Sequence, residues 1–388
     1  MKKLVEGLVK QVFKGIGLFH SDKIIYFESF HGNQYSDNPR AIYEWMKEHQ
    51  PEYELVWGVN KGKEQPFHEA SVPFVHRFSI QWFLKMPRAK AWIINTRTPL
   101  WLAKSSQTKY VQTWHGTPFK KIGRDIPQVN IPGYTKESYD TSFSEESKRW
   151  DYLVSPSTFT TKVFRSAFDY HGDILEVGYP RNDVLVKAKG NQGTQDQLKV
   201  ALNLQPRTKI ILYAPTWRES EKREKGKYAF STTFPFDEVV ANLDEDTVLL
   251  VRMHYLVAQL FDFKQYKGKV IDVSNYYDMA DLLAVSDLLI TDYSSCLFDF
   301  AITNRPMIFF MPDQEIYEKE MRGVYFSMEE NLPGPILKSQ ETLLNTLTQW
   351  QQGQSIYDEE SYQAFKATFT NKEQGNAAIQ VVATLLEK

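Results

Sequence analysis

Apolar and polar residues alternate along most of the chain in a pattern that predicts strands followed by helices. Seven short apolar runs in the first half predict strands at Lys23–Phe27, Tyr53–Val59, Val72–His76, Ala91–Asn95, Tyr110–Thr113, Tyr152–Ser155 and Ile174–Val177. Helical stretches separate these runs, and one of them begins at Asn38 and Pro39, with proline at the first helical position. Strands that alternate with helices through short connections indicate βαβ units and a parallel sheet.

A second series of the same kind follows a polar segment rich in turn residues. Its predicted strands are Lys209–Ala214, Thr247–Arg252, Lys269–Asp272, Leu288–Thr291 and Pro306–Met311, and its predicted helices are Phe236–Leu243, Tyr277–Val285 and Cys296–Thr303. A chain of 388 residues is too long for one ordinary core. The sequence therefore predicts two α/β domains, residues 21–185 and residues 207–388 with the terminal helices, joined by a connection at 186–206.

The first 20 residues carry a pattern of their own. Apolar residues fall on one helical stripe at Leu4, Val5, Leu8, Val9, Val12, Phe13 and Ile16, and lysines lie elsewhere at Lys2, Lys3, Lys10 and Lys14. Lysine interrupts the stripe too often for a membrane span or a signal peptide. Residues 1–20 are predicted to form an amphipathic helix that lies in the interface of an anionic membrane. The alternative is a helix that packs on its own domain.

Composition and charge narrow the class of protein. The chain is 42% hydrophobic and 24% charged, as ordinary globular proteins are, and its net charge of -2 gives no general case for nucleic-acid binding. Its single cysteine, Cys296, can form no internal disulfide, which fits a reducing compartment. The sequence contains no convincing metal-binding motif. The acidic run at residues 244–246 lies in a polar loop, where its carboxylates are expected to be solvated.

Three predicted strands of the second series end in polar residues of related chemistry. The strand ends are followed by Pro215, Thr216 and Arg218, by Arg252, Met253 and His254, and by Ser294 and Ser295. Because parallel strands present their carboxyl ends at one edge, these loops are expected to meet. Cations, a histidine and a helix start form an anion site suited to a diphosphate, and Asp299 could accept from a ribose hydroxyl. The alternative for the two serines is that they cap a helix.

A candidate general base follows a strand of the first series. His115 lies in the segment YVQTWHGTPFKKIGRD, at the carboxyl end of Tyr110–Thr113, where open α/β sheets bind their ligands. A histidine with an ordinary pKa of about 6.5 suits proton transfer at neutral pH. The alternative is a histidine that is merely hydrogen-bonded in a loop. The following Lys120, Lys121 and Arg124 could hold acceptor phosphates or form a solvated basic face.

These motifs together resemble one family. WHGTPFKKIGRD, YAPTWR, RMHY and TDYSSCLFDF, with YFESFHGNQYSDNP and GYPRND, are similar to the CDP-glycerol:poly(glycerophosphate) glycerophosphotransferase family of wall teichoic acid synthesis. The resemblance runs from Lys23 to about Gly334 and is closest to the short members of the family. It implies a GT-B fold, in which two Rossmann-like domains face each other across a cleft, the first binding the acceptor and the second CDP-glycerol.

The resemblance also assigns a site. Residues carried over onto the motifs as neighbours of CDP-glycerol are His115, Gly116, Thr117, Pro118, Arg181, Pro215, Thr216, Arg218, Arg252, Met253, His254, Ser294, Ser295, Asp299 and Arg322. His115 would act as the base, while Arg252, His254 and the serine pair would stabilise the diphosphate in place of a metal. The chain has Ser327 where the family commonly has an acidic residue, so the pocket around Arg322 departs from the pattern.

The activity implied is transfer of glycerol phosphate from CDP-glycerol to a hydroxyl of an undecaprenyl diphosphate-linked disaccharide precursor, with release of CMP. No cofactor is expected to be required, although magnesium could help by binding the substrate. The implied location is peripheral, on the cytoplasmic side of the cell membrane, together with other teichoic acid enzymes and with no nucleic-acid partner. Open alternatives are a ribitol-phosphate transferase using CDP-ribitol, a GT-B sugar transferase and, more remotely, a non-catalytic membrane-associated binding protein. Primase, single-addition and polymerase activities are equally compatible with the motifs.

Overall fold

The chain folds into two compact units. The computed structural model describes residues 2–129, 131–216, 233–253, 262–320 and 323–387. Unit 1 comprises Met1–Asp183 and Asn371–Lys388, and unit 2 comprises Val184–Thr370.

Unit 1 is built on a seven-stranded sheet in which every pair of neighbouring strands is parallel. In chain order the strands are β1 (Ser21–Glu28), β2 (Glu54–Val59), β3 (Phe74–His76), β4 (Ala89–Ile94), β5 (Lys109–Gln112), β6 (Tyr152–Ser155) and β7 (Asp173–Glu176). Their order in the sheet is β3-β2-β1-β4-β5-β6-β7. All seven predicted strands are confirmed, and the carboxyl ends of β1, β4 and β5 lie side by side in the middle of the sheet.

Helices connect these strands. They are α1 (Lys2–Gly17), α2 (Asp37–His49), α3 (Gln65–Glu69), α4 (Ile80–Lys85), α5 (Lys136–Ser147) and α6 (Thr158–Phe168), and α7 (Asp183–Ala188) follows where unit 1 passes into unit 2. Ile25, Trp57 and Val111 of the sheet and Ile42 of α2 are fully buried in one apolar core. This burial is the main stabilising term of the unit.

Unit 2 repeats the plan with six parallel strands. They are β8 (Lys209–Ala214), β9 (Thr247–Val251), β10 (Val270–Asp272), β11 (Leu288–Thr291), β12 (Met307–Phe310) and β13 (Ile336–Leu337), in the order β10-β9-β8-β11-β12-β13. The five predicted strands are confirmed. Sequence analysis missed β13, because two residues are too few to show a pattern.

The helices of unit 2 begin where the polar connection was predicted. They are α8 (Gln192–Ala201), α9 (Phe236–Ala241), α10 (Met279–Val285), α11 (Cys296–Ala301), α12 (Gln314–Glu320), α13 (Met328–Asn331), α14 (Gln340–Gln351) and α15 (Glu359–Phe369). Helix α8 lies within the predicted connection, and the Lys199 ammonium joins it to the segment before β8 by donating to the carbonyls of Pro206 and Thr208. Residues 186–206 are therefore part of unit 2 and not a linker.

The end of the chain returns to the first unit, which corrects the prediction that residues 207–388 form one domain. Helix α16 (Ala377–Leu386) buries Val381, Val382 and Leu385 in the core of unit 1. The backbone N–H groups of Ala377 and Ala378, at its start, donate to the Asp183 carboxylate at 2.9 and 3.0 Å. The helix completes the apolar core of unit 1, which lies far from it in the sequence.

The N-terminal helix is only partly packed. Phe13 of α1 is fully buried, and its ring lies 5.2 Å from Trp82, 5.5 Å from Phe83 and 6.3 Å from Trp101 between centroids. Leu4 and Leu8 on the same helix are 79% and 67% exposed. One side of α1 therefore packs on unit 1, as the second alternative predicted, while Leu4, Leu8 and Val12 are exposed. Contact of the helix with a membrane remains a prediction. Within the described ranges, no helix is long and apolar enough to cross a membrane.

Candidate active site

The imidazole of His115 is fixed at the carboxyl edge of the unit 1 sheet. Its Nδ1 lies 2.7 Å from the backbone carbonyl oxygen of Asn95, directly after β4. Because a carbonyl only accepts, Nδ1 carries the proton and Nε2 of the neutral ring carries the free lone pair. The ring also stacks on Trp114 at 4.4 Å between centroids, with the Phe30 ring 5.8 Å away. This geometry presents one defined nitrogen as a base.

Partial burial keeps His115 neutral. Desolvation lowers the pKa of His115 below its ordinary value of 6.5, and the positive charge of Arg181 lowers it further. The hydrogen bond to Asn95 and the charge of Asp37 oppose the shift without reversing it. The neutral ring, the form that can accept a proton, therefore predominates at neutral pH.

Two polar side chains from distant parts of the sequence hold the His115 loop. The Asn38 amide donates to the carbonyls of Thr113 and Trp114, both at 3.2 Å, and its oxygen accepts from the Arg181 backbone N–H at 3.1 Å. The Arg181 guanidinium donates to the His115 carbonyl and to the Asp37 carboxylate, both at 2.8 Å. Arg181 therefore positions the loop that carries the candidate base. The prediction that Arg181 also binds substrate remains a prediction.

The residues after His115 continue the loop inward. Gly116, Thr117 and Pro118 are all buried, so the loop is packed against the unit and not spread over its surface. Farther along, the Arg124 guanidinium pairs with Asp169 at 2.7 Å, which ties this candidate phosphate ligand to its own unit. Lys120 and Lys121 are half-buried.

In unit 2, the loops after β8 and β11 are joined by one buried carboxylate. Asp292 is 3% exposed, and its Oδ1 accepts from the backbone N–H groups of Thr216 at 2.8 Å and of Tyr293 at 2.5 Å. The predicted site residues Pro215 and Thr216 are thus held next to the loop that leads to the serine pair. This confirms that the two strand ends meet at one edge.

Arg252 follows the neighbouring strand β9. Its backbone N–H donates to the Tyr213 carbonyl at 2.9 Å, and its guanidinium donates to the Tyr276 carbonyl at 2.6 Å. Burial lowers the pKa of Arg252, opposed by the nearby charge of Asp278, but an arginine stays protonated at physiological pH. Met253 is buried, and its N–H donates to Ser274 Oγ at 2.9 Å. A half-buried cation is therefore held at the end of β9.

The serine pair leads into helix α11. Ser295 occupies the position before the helix but makes no capping bond with its side chain, and both serines are half-buried. The capping alternative is therefore not what the structure shows for Ser295. Asp299, one turn later, is 6% exposed. Because α11 is six residues long, the predicted contribution of a helix dipole is small, and the hydroxyls and backbone N–H groups remain as the anion ligands.

Three predicted site residues, Arg218, His254 and Arg322, lie outside the described residues. In the part of the chain that the structure does describe, no group of three or more His, Cys, Asp or Glu side chains could hold a metal ion. The expectation that no metal is required stays a prediction.

Sequence reasoning missed the residues that organise both edges, namely Asp37, Asn38, Asn95 and Asp292. Asn38 was interpreted only as a helix start, yet its side chain bonds residues 75 and 76 positions away in the sequence. The sequence shows Asn38 next to Pro39, which indicates a helix start. It does not show that Asn38 is completely buried, which is the feature that marks its structural role. The Asn95 carbonyl had no signal at all, since every residue carries one.

Comparisons with known proteins identify the family. The family model for CDP-glycerol:poly(glycerophosphate) glycerophosphotransferase matches residues 12–387. The chain is 45% identical to a teichoic acid glycerol-phosphate transferase of Staphylococcus aureus, over 100% of this chain and 99% of that protein. It is 40% identical to a teichoic acid poly(glycerol phosphate) polymerase of Bacillus spizizenii, over 99% and 98% of the two chains.

A solved structure agrees with the sequence matches. The wall teichoic acid polymerase TagF superimposes with a TM-score of 0.89 at 39% identity, over 99% of this chain and 94% of that chain. The chain belongs to the CDP-glycerol:poly(glycerophosphate) glycerophosphotransferase family, as its motifs predicted, and is an enzyme of that class.

Proposed function

We propose that this enzyme transfers glycerol phosphate from CDP-glycerol to a hydroxyl of an undecaprenyl diphosphate-linked teichoic acid precursor and releases CMP. The observation that carries the proposal is the His115 imidazole, which is neutral, half-buried and oriented by the Asn95 carbonyl at 2.7 Å in a chain of this family. Its relatives include a glycerol-phosphate transferase and a polymerase of nearly the same length, so single addition and polymerisation both agree with the chain.

The reaction is a displacement at phosphorus. The acceptor oxygen forms a bond to the phosphorus atom that bears glycerol, and the bond from that phosphorus to the bridging oxygen of CMP breaks with its electron pair. His115 Nε2 takes the hydroxyl proton as the new bond forms. Because phosphoryl transfer needs mainly positioning and charge stabilisation, a fixed base and a set of anion ligands suffice.

The donor side of the proposal rests on unit 2. Arg252, the backbone around Thr216 and the hydroxyls of Ser294 and Ser295 would bind the diphosphate and stabilise the departing CMP, and Asp299 would accept from the ribose. The GT-B arrangement and independence from metal belong to the same proposal. If it holds, activity persists in EDTA at the level measured without magnesium.

A comparison of donor substrates, each supplied alone, separates this proposal from its alternatives. The purified enzyme is incubated with a soluble acceptor analogue and CDP-glycerol, CDP-ribitol or UDP-sugars in turn, and released CMP or UDP is measured. We expect CMP from CDP-glycerol. Release of CMP from CDP-ribitol alone would replace glycerol by ribitol, and release of UDP would indicate a sugar transferase.

Membrane attachment is proposed for the exposed apolar residues of α1. Further exposed apolar residues are Leu18 and Phe19, directly after α1 and 82% and 72% exposed, and Ile80 at the start of α4, 80% exposed. Apolar side chains of this kind next to lysines favour the interface of an anionic membrane, which is where a lipid-linked acceptor resides. Attachment of this type is reversible and weakens as salt is raised.

Phe13 makes deletion of residues 1–20 a poor test. Deletion would uncover the pocket of Trp82, Phe83 and Trp101 and destabilise unit 1, so a loss of activity would not report on membrane contact. The double substitution Leu4→Glu with Leu8→Glu leaves Phe13 in place. It should reduce sedimentation with anionic vesicles and slow reaction on a membrane-embedded acceptor, without affecting a soluble one.

The matched control is Gln11→Glu with Gln81→Glu, which adds the same charge at two exposed polar positions of α1 and α4. This control should keep more of the vesicle binding than the leucine variant. Equal binding by the two variants would show that charge, and not apolar contact, holds the protein to the membrane. Unchanged binding by the leucine variant would contradict the proposal.

A further inference from the structure

A second imidazole lies beside the candidate base. His31 belongs to the loop after β1, and its Nδ1 lies 3.5 Å from Thr96 Oγ1. The preceding residue, Asn95, holds His115 by its backbone carbonyl and Phe30 by its side-chain oxygen, which accepts from the Phe30 N–H at 2.9 Å. Two consecutive residues after β4 thus hold two histidines by their Nδ1 atoms. Each histidine is held through Nδ1, which leaves its Nε2 out of these contacts.

The His31 loop is held in place by buried charges. The His31 carbonyl accepts from the Arg77 guanidinium at 2.5 Å and from the Asn60 amide at 2.9 Å. Arg77 in turn pairs at 3.2 Å with Glu28, whose carboxylate accepts from the Tyr26 hydroxyl at 2.6 Å. This chain of contacts fixes the backbone of His31.

The backbone of the loop is also unusual. Phe30 and His31 have φ angles of 46° and 57°, in the left-handed region that side chains other than glycine and asparagine rarely adopt. A Cβ at the following Gly32, whose φ is 79°, would approach Arg77 Cδ to 2.5 Å and the Gly58 carbonyl oxygen to 2.9 Å. The sequence therefore maintains a strained turn that displays a histidine beside the base.

His31 has the chemistry of a hydroxyl ligand. The residue is exposed, and among the residues that the structure describes its Nε2 has no hydrogen-bond partner. Partial burial and the positive charge of Arg77 lower the pKa of His31 below its ordinary value, so the neutral ring predominates at pH 7. A neutral imidazole donates or accepts one hydrogen bond at Nε2, which suits an alcohol better than a phosphate.

We propose that His31 is a specificity-determining residue that hydrogen-bonds a second hydroxyl of the acceptor's terminal polyol, next to the hydroxyl that His115 deprotonates. The inference rests on the proposed function. It adds that the acceptor end carries two adjacent hydroxyls, as a glycerol phosphate unit does, and that the two histidines read them as a pair.

The test compares two soluble acceptors. One ends in 2,3-dihydroxypropyl phosphate, and the other ends in 3-hydroxypropyl phosphate and lacks the second hydroxyl. For the wild type, kcat/KM should be about 3- to 10-fold higher on the diol, the effect of one hydrogen bond. His31→Gly, which removes the imidazole and tolerates the left-handed backbone, should lower kcat/KM by this factor on the diol and leave the second acceptor within about 2-fold.

Two further variants separate recognition from folding. His31→Asn keeps a hydrogen-bonding side chain in a residue that accepts the left-handed region, and it should recover part of the preference for the diol. His171→Ala, at a surface histidine whose side chain is 86% exposed, should match the wild type on both acceptors. Affinity for CDP-glycerol, measured by calorimetry, should be equal in the wild type and in all three variants.

The outcomes are distinct from those that test the proposed function. Equal losses on the two acceptors, or a loss of CDP-glycerol affinity in His31→Gly, would overturn the role of His31 while the transfer reaction stands. A wild type that shows no preference for the diol would overturn it as well. Failure of the wild type to release CMP with either acceptor would instead refute the proposed function.

Discussion

The carboxyl edges of the two sheets differ in backbone strain. In unit 1, Phe30, His31, Asp37 and Trp114 follow β1 and β5 with φ angles between 46° and 68°, and each such residue costs roughly 1–2 kcal/mol. Within the described part of unit 2, the non-glycine residues with positive φ are Asn203, Lys267 and Asn304, which precede β8, β10 and β12. Unit 1 also has such residues before strands, at Ser71 and Asp169, but among the described residues only unit 1 has them at the ligand edge as well.

The difference in backbone strain agrees with different roles for the two units, in which unit 1 supplies the base and unit 2 supplies the ligands of the donor. Unit 1 maintains unfavourable backbone around one imidazole and fixes it with buried amides and an ion pair, as preorganised catalytic groups require. Unit 2 presents Arg252, Thr216 and the serines on ordinary backbone, which is sufficient for ligands of an anion. If this is right, changes in unit 1 affect mainly turnover, and changes in unit 2 affect donor binding as well.

The largest effect is expected from His115→Ala. Removing a general base lowers turnover by roughly 10²–10⁴-fold, because the base acts mainly in the transition state. The affinity for CDP-glycerol, measured by calorimetry, should stay close to that of the wild type. Near wild-type turnover in this variant would remove His115 from the chemistry and with it the contrast between the two units.

Arg252→Ala should lower both donor affinity and turnover. The half-buried guanidinium would contact the diphosphate before and during the reaction, and loss of one such group costs about 10²–10³-fold in turnover. Arg207→Ala, which removes an exposed cation from the same unit, is the matched control and should have little effect. A variant at Arg252 that loses turnover but keeps full CDP-glycerol affinity would break the proposed division.

Asn38→Ala should lower stability and turnover together, without weakening donor binding. The change leaves the carbonyls of Thr113 and Trp114 and the N–H of Arg181 without their buried partner, at a cost of about 1–3 kcal/mol in the free energy of unfolding. Asn38→Asp retains the acceptor for Arg181 but faces the two carbonyls with an oxygen at a fully buried position, so it should lose at least as much stability. Denaturant unfolding and steady-state kinetics check both. Unchanged turnover in Asn38→Ala would show that the loop keeps its geometry without this amide.

The sequence predicted the strands of the two sheets much better than the hydrogen bonds between the loops that follow them. Apolar runs such as Ile24–Phe27 or Leu288–Ile290 are local, so β1 and β11 could be predicted from pattern alone. The pairing of Asn38 with the His115 loop and of Asp292 with Thr216 depends on tertiary structure that no window contains. For the same reason α16 was assigned to the wrong unit, although its apolar face was visible.

The candidate site shows the same limit. The motif resemblance assigned both His115 and Arg181 to the site. In the structure, the Arg181 guanidinium donates to the His115 carbonyl at 2.8 Å. Resemblance alone assigned Arg181 to substrate. The geometry adds that it positions the base, a role that needs the coordinates of two loops.

The smallest effect is expected from replacing Ser294 and Ser295 together by alanine. The change removes two hydroxyls and leaves the backbone N–H groups, so CDP-glycerol affinity should fall by about 3- to 30-fold and not vanish. Neither serine is fully buried, and Ser295 makes no capping bond, so stability should change little. Calorimetry with CDP-glycerol and thermal unfolding measure the two effects. A large loss of stability with full affinity would restore a purely structural role for the serines.

The most direct test of a neutral His115 base is the dependence of kcat/KM on pH, with CDP-glycerol and the soluble diol acceptor. Burial lowers the pKa of His115 below 6.5, so the basic form is present above that pH and is lost as the pH falls through the lowered value. We expect activity that is level near neutral pH, an acid limb with an apparent pKa below 6.5, and no such limb in the residual activity of His115→Ala. A limb centred above pH 7 in the wild type, or an identical limb in the variant, would contradict the account.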